Sequence, residues 1–163
     1  MTVLVAYGSK RGGTKGLAEM IGDALTAEGL HADVVPAHQA GDVGRYDAVV
    51  VGGALYAAHW HKDARRFVKR NMTVLATRPT YFFSSGPLDD TARSEEIPPV
   101  PGVQRLMTKV HARDHITFGG RLAPDAEGFP ASAMAKTRAG DWRDAGQVRT
   151  WVHCIAADMA CAR

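Results

Sequence analysis

Val3-Leu4-Val5-Ala6-Tyr7 is a short, mostly apolar run with β-branched residues, the mark of a buried strand. Gly8-Ser9-Lys10-Arg11-Gly12-Gly13-Thr14 follows as a glycine-bearing loop. Leu17, Ala18, Ile21, Ala24 and Leu25 then recur at helical spacing, until Gly29 stops the helix. Strand, loop and helix in that order begin a βαβ unit. The same alternation continues outward. Ala32 to Pro36 is a second strand candidate, and Asp47-Ala48-Val49-Val50-Val51-Gly52-Gly53 reads as a buried central strand. His61 to Asn71 is helical in pattern, and Thr80 to Ser84, with Tyr81, Phe82 and Phe83, reads as a fourth strand. Val103 to His111 and His115 to Gly119 supply a short helix and a fifth strand. Asp141 and Asp144 are cap candidates for a last helix, whose apolar stripe is Val148, Trp151, Val152, Ile155 and Met159. Strands alternating with helices require right-handed crossovers. The expected architecture is therefore a doubly wound, five-stranded parallel α/β sheet with helices on both faces, in one domain over residues 1–163. Ala123 to Gly140, rich in Ala, Gly, Pro and polar residues, has no clear period and reads as a long excursion before the final helix.

Composition bounds the function. The 163 residues are enough for a real core, and 45% hydrophobic with 23% charged residues is a globular profile. The longest run without charge or strong polarity, Ala48 to Ala58, has 11 residues. A membrane span needs about 18. A basic n-region followed by an apolar stretch is missing at the N-terminus, so no secretory signal is expected. Cys154 and Cys161 lie seven apart, roughly 10 Å along a helix, too far for a disulfide. They read as reduced thiols of a cytoplasmic protein. The net charge of +3 does not argue for nucleic acid.

In an open α/β sheet, ligands bind at the carboxyl ends of the strands. Three loops occupy that edge. In Ser9-Lys10-Arg11-Gly12-Gly13-Thr14, glycines let backbone N–H groups turn inward, two hydroxyls add donors, and a helix N-terminus adds a positive dipole end. That set suits a phosphate. Neither Gly-Lys-Ser/Thr nor Gly-x-Gly-x-x-Gly is present, so it is neither a Walker loop nor a dinucleotide fingerprint. The second loop runs from Gly52 to His61. Its two glycines admit close backbone approach, and Tyr56 and Trp60 offer flat faces to a planar ring. The third, Ser84-Ser85-Gly86-Pro87-Leu88-Asp89-Asp90, presents backbone groups to the edge of a polar heterocycle.

Val5 to Ile21 resembles the flavodoxin signature: an aromatic ending the first strand, Ser9 two positions on, then a small residue and Thr14, then Ala18 on the helix. Ala6 departs from it, since a larger apolar residue is usual there. Gly52 to Phe67, Tyr81 to Asp89, Phe118 to Leu122 and Gly140-Asp141-Trp142-Arg143-Asp144 resemble the flavodoxin-type, menaquinone-dependent protoporphyrinogen oxidase branch. The resemblance implies FMN as cofactor. Ser9, Lys10, Arg11, Gly12, Gly13 and Thr14 would hold its phosphate. Ala54, Leu55 and Tyr56 would border the ring from the second loop, and Ser84, Ser85, Gly86 and Pro87 from the third. Lys10 and Arg11 would offset phosphate charge, where typical shuttle flavodoxins are acidic.

His59 and His61 are the candidate proton carriers, since an unperturbed imidazole titrates near ~6.5. No third ligand completes a metal site with them, so no metal is expected. Lys62, Arg65, Arg66, Lys69 and Arg70 fall on one face of their helix against Asp63 alone. That face is either plain solvated surface or a dock for an acidic protein or an anionic membrane. Three functions stay open. They are an FMN oxidoreductase passing electrons to a quinone, a non-enzymatic FMN electron carrier, and a binding module of the same fold without flavin. The expected location is the cytoplasm, with peripheral attachment to the inner membrane face as the extension that a quinone acceptor would require.

Overall fold

The computed structural model describes residues 1–10, 12–122 and 140–162. Arg11 and nearly all of the excursion (residues 123–139) lie outside the described residues. Five parallel strands form the sheet: β1 (Thr2–Gly8), β2 (His31–Pro36), β3 (Ala48–Tyr56), β5 (Thr80–Ser85) and β6 (Asp114–Phe118). Their order is β2-β1-β3-β5-β6, and β4 (His59–Trp60) pairs antiparallel with β3. The helices are α1 (Gly13–Ala27), α2 (Lys62–Arg70), α3 (Met72–Leu75), α4 (Thr91–Ser94), α5 (Pro101–Val110) and α6 (Ala145–Cys161). A two-stranded ribbon, β7 (Arg121–Leu122) with β8 (Gly140–Asp141), stands apart from the main sheet.

The expected doubly wound sheet is the one observed. Strand alternation assigns the faces. Val3, Val5, Val50, Tyr81 and Phe83 join Leu17 and Ile21 of α1 and Val148, Trp151, Val152, Ile155 and Met159 of α6 in one core. Leu4, Ala6, Val49, Val51 and Phe82 join Phe67 and Val68 of α2 and Val103, Leu106 and Val110 of α5 in the other. Both faces of β1 and β3 are covered, which is why those strands read as unbroken apolar runs and not as alternating ones. Gly29, at φ 84°, ends α1 in a conformation that a side chain would strain.

Some boundaries differ from the sequence reading. β3 runs on to Tyr56, because Ala57 and Ala58 turn it into a hairpin with β4. β6 begins at Asp114, one residue early, and Gly119 lies outside it, tucked against the Trp142 backbone. Asp144 caps α6 by accepting from the N–H groups of Gly146 and Gln147 at 2.9 and 3.2 Å. Asp141 is not a cap. It sits in β8 and grips Arg143.

Candidate functional site

Parallel register brings the three loops to one edge. Gly8 lies opposite Gly53, and Ala54 opposite Ser85, so the loops leave β1, β3 and β5 side by side. Two contacts lock them. The Lys10 N–H donates to the Tyr56 hydroxyl at 3.3 Å, joining first loop to second. Leu55 lies 3.5 Å from the position a Cβ on Gly86 would take, joining second to third.

The first loop has an anion-binding form. Gly12 enters α1 at φ 82°, a left-handed conformation that favours glycine. Ser9 Oγ accepts from the Gly12 N–H at 3.2 Å and holds that turn. Thr14 is only 1% exposed, and its Oγ1 has no hydrogen-bond partner. A buried hydroxyl without a partner costs about 1–3 kcal/mol. α1 carries no acidic residue in its first turn to neutralise its positive end. The loop thus has one unmet donor and one helix N-terminus without an acid in its first turn, the groups an anion would satisfy.

The second loop corrects two readings. Gly52 and Gly53 do not face a ligand. A Cβ on Gly52 would lie 1.9 Å from the Phe83 ring, and one on Gly53 2.8 Å from the Trp60 indole. Their bareness makes room for the protein's own rings. Trp60 is not an exposed platform either. It is 2% exposed, stacks near Phe82 with centroids 4.9 Å apart, and donates from Nε1 to Ser84 Oγ at 3.0 Å. Tyr56, at the top of β3, is the aromatic left at the edge, half-buried, with its ring edge-on to His61 at 6.0 Å. Ala57 and Ala58, at φ 48° and 61°, form the two-residue hairpin tip beside it. Positive φ at both positions is the requirement of a type I′ turn, which normally recruits Asn and Gly. Ala54 is buried and Leu55 half-buried, on the wall between the second and third loops.

The two histidines differ. His59 is exposed on the hairpin. His61 is largely covered and caps α2, its Nδ1 accepting from the Asp63 N–H at 3.1 Å. The accepting Nδ1 leaves the ring proton on Nε2. Burial lowers its pKa, opposed in part by Asp63. Gly8 packs so tightly on this corner that a Cβ would come within 3.0 Å of His61 Nδ1. Among the described residues, no three His, Cys, Asp or Glu side chains come together as metal ligands.

In the third loop, Gly86 N–H donates to Phe118 O at 3.0 Å, and Pro87 O accepts from Gly120 N–H at 2.9 Å. Those backbone groups are committed to the end of β6. Ser85 is buried at the strand end, and Ser84 lies deeper still, 1% exposed. Its hydroxyl accepts from Trp60 and pairs with His115 Nε2 at 2.9 Å, so its side chain belongs to the core. Sequence reading missed this Trp60–Ser84–His115 chain. Trp60 Nε1 only donates, so Ser84 Oγ is the acceptor of that bond, and His115 Nδ1 is buried without a hydrogen-bond partner. Burial pushes its pKa down to about 4.

α2 leaves directly from the second loop with Ala64, Phe67 and Val68 inward and Lys62, Arg65, Arg66, Lys69 and Arg70 exposed. α5, on the same side of the sheet, adds Arg105 and Lys109 and no acid. On the opposite side, α1 carries Lys15 with Glu19 and Asp23, and α6 carries Arg149 and Asp158, the latter bonded to Arg113. Among these four helices the net positive charge therefore lies on α2 and α5.

The family model described as Flavodoxin domain matches residues 4–129. A curated relative, protoporphyrinogen IX dehydrogenase [quinone] from Escherichia coli strain K12, is 30% identical over 86 residues. That match spans 52% of this chain and 48% of the relative, so about half the length of the curated protein is represented. Among solved structures, oxidised flavodoxin 2 from Bacillus cereus superposes with a TM-score of 0.63 at 18% identity, covering 97% of this chain and 99% of that one. Rubredoxin oxygen:oxidoreductase from Desulfovibrio gigas gives a TM-score of 0.66 at 12% identity, covering 98% of this chain and 36% of its own.

Proposed function

This chain belongs to the flavodoxin domain family, and from that premise we propose that it is an FMN-dependent oxidoreductase that delivers electrons to a quinone. The observation that carries the flavin is the buried Thr14 hydroxyl without a partner, at the N-terminus of a helix entered through left-handed Gly12. Ser9, Lys10, Gly12, Gly13 and Thr14 hold the phosphate, and Arg11 completes that loop in the sequence. Tyr56, Leu55 and Ala54 border the ring on one side; Ser85, Gly86 and Pro87 border it on the other, with Ser84 supporting them from below. Bound FMN supplies the exchange of electrons between a two-electron donor and its acceptor. The chain's own residues anchor, orient and shield it. Of the two histidines, His61 has the rigid setting a proton carrier needs, with Nε2–H left over after capping α2. His59 stands by at the exposed tip.

Two observations support a quinone acceptor. The Escherichia coli relative carries that acceptor in its name. The α2–α5 face gathers seven cations against Asp63 alone, which suits contact with an anionic membrane, where quinones reside. The described residues contain no helix long and apolar enough to cross a membrane, so the contact would be peripheral.

The test is anaerobic. Protein loaded with FMN is photoreduced, then mixed with a menaquinone analogue or with one-electron acceptors. Saturable reoxidation by the quinone supports the proposal. Reoxidation only by one-electron acceptors makes the protein a carrier, and failure to retain FMN makes it a flavin-free module.

A further inference from the structure

We propose that Arg143 is a cofactor-positioning residue, set by the β7–β8 ribbon against the first turn of α1, that makes the phosphate loop prefer a phosphorylated flavin to an unphosphorylated one. The inference rests on the FMN reading above and goes beyond it to a residue outside the three loops.

The ribbon is built beside the loop. The Arg121 backbone lies 3.4–3.5 Å from where a Cβ on Gly13 would stand. Across the ribbon, Asp141 accepts from Arg143 Nε at 2.9 Å and from Nη2 at 2.7 Å, a two-pronged grip that fixes the guanidinium plane. Arg121 Nε lies 3.9 Å from the same carboxylate. The third guanidinium nitrogen, Nη1, is outside that grip and is seated against Gly16, where a Cβ would lie only 1.9 Å away.

Gly16 is otherwise unexplained. Its backbone is helical, its N–H bonds Gly12 O at 3.0 Å, and it has no positive φ to require glycine. Alanine would favour the helix there. The missing Cβ is used as a notch for Arg143. Cα–Cβ bonds on a helix lean toward its N-terminus. A group filling this notch therefore lies over the turn made by Gly12 and Gly13, beside the phosphate loop. Arg121 and Arg143 on Asp141, and Lys15 paired with Glu19, whose carboxylate also acts on Arg143, leave one surplus positive charge at the end of a helix that is already positive and has no acid in its first turn. Cations are unfavourable there unless an anion arrives. The unpartnered, buried Thr14 hydroxyl in that same turn points independently to a ligand.

The experiment measures FMN and riboflavin affinities by quenching of flavin fluorescence for wild type, Arg143→Gln and Gly16→Ala. The Gln variant removes the charge. The Ala variant keeps the charge, strengthens the helix and evicts the guanidinium from its notch. FMN affinity falls on the order of tenfold in each, riboflavin affinity is unchanged, and the difference shrinks as salt is raised. A purely structural arginine would weaken both flavins alike. An unaltered FMN-to-riboflavin ratio in Gly16→Ala, with wild type binding FMN, overturns this inference and leaves the FMN reading intact. Wild type binding neither flavin overturns both.

Discussion

Replacing Thr14 by Val separates a ligand-binding hydroxyl from a structural one, because the two predict opposite signs. Thr14 is 1% exposed and its Oγ1 makes no hydrogen bond. Burying an unsatisfied hydroxyl costs about 1–3 kcal/mol, and Val exchanges it for a methyl of similar size. Thr and Val have similar helix propensities, so that contribution is small. The flavin-free variant is therefore more stable than wild type by about 1–2 kcal/mol. At roughly 2–4 °C per kcal/mol for a chain of this length, its melting temperature rises by about 2–8 °C. FMN binding moves the other way. A hydrogen bond to a charged group contributes about 1.5–3 kcal/mol, which corresponds to roughly tenfold to 150-fold in affinity. Thermal melts of stripped protein and FMN titrations followed by fluorescence give both numbers on one preparation. Thr14→Ser, which keeps the hydroxyl, holds FMN affinity close to wild type. A Val variant with a lower melting temperature and unchanged FMN affinity would refute the reasoning.

Three other outcomes follow from the structure. His115 is held neutral with its pKa near 4, below its unfolded value of about 6.5. Between those values the unfolded chain takes up the proton and the folded one does not. Stability is therefore full above pH 6.5 and falls by on the order of 3 kcal/mol as pH drops toward 4. Urea unfolding of His115→Gln at pH 7.5 and 4.5 loses that part of the slope, and a slope equal to wild type would exclude His115 as its source. Ala58→Gly relieves a left-handed backbone at φ 61° and raises stability by about 1 kcal/mol in thermal melts, whereas destabilisation would mean the strain is absent. Reversing Arg65, Arg66 and Lys69 to Glu abolishes low-salt sedimentation with phosphatidylglycerol vesicles, since each basic residue near such a surface is worth about 1 kcal/mol. Equal binding by the triple variant would remove the α2 face as the dock.

The sheet was legible because its strands are long and apolar and its crossovers follow one hand. Val3 to Ala6 and Ala48 to Val51 are buried on both faces, so their runs are unbroken. The two-residue strands β4, β7 and β8 are too short to carry a period, and they come from pairing across a hairpin and a ribbon. The loop proposed to hold the phosphate is legible as a strand-to-helix turn because its hydroxyls, glycines and helix start are all local in sequence. The second loop was harder. A glycine pair signals close approach, but sequence does not say whose atoms approach, and here they are Phe83 and Trp60. The sequence sets Trp60 and Ser84 at the ligand edge because their partners are remote: Trp60 bonds Ser84, 24 residues on, and Ser84 bonds His115, 31 residues further. The role of Arg143 needed geometry for the same reason, since Gly16 is a plain helical glycine until the ribbon is seen beside it.

The most direct test of the account is the absorption spectrum of the purified chain after incubation with FMN and desalting. The account predicts a yellow protein that keeps one FMN per chain and releases it on denaturation. A colourless protein after the same treatment would contradict it.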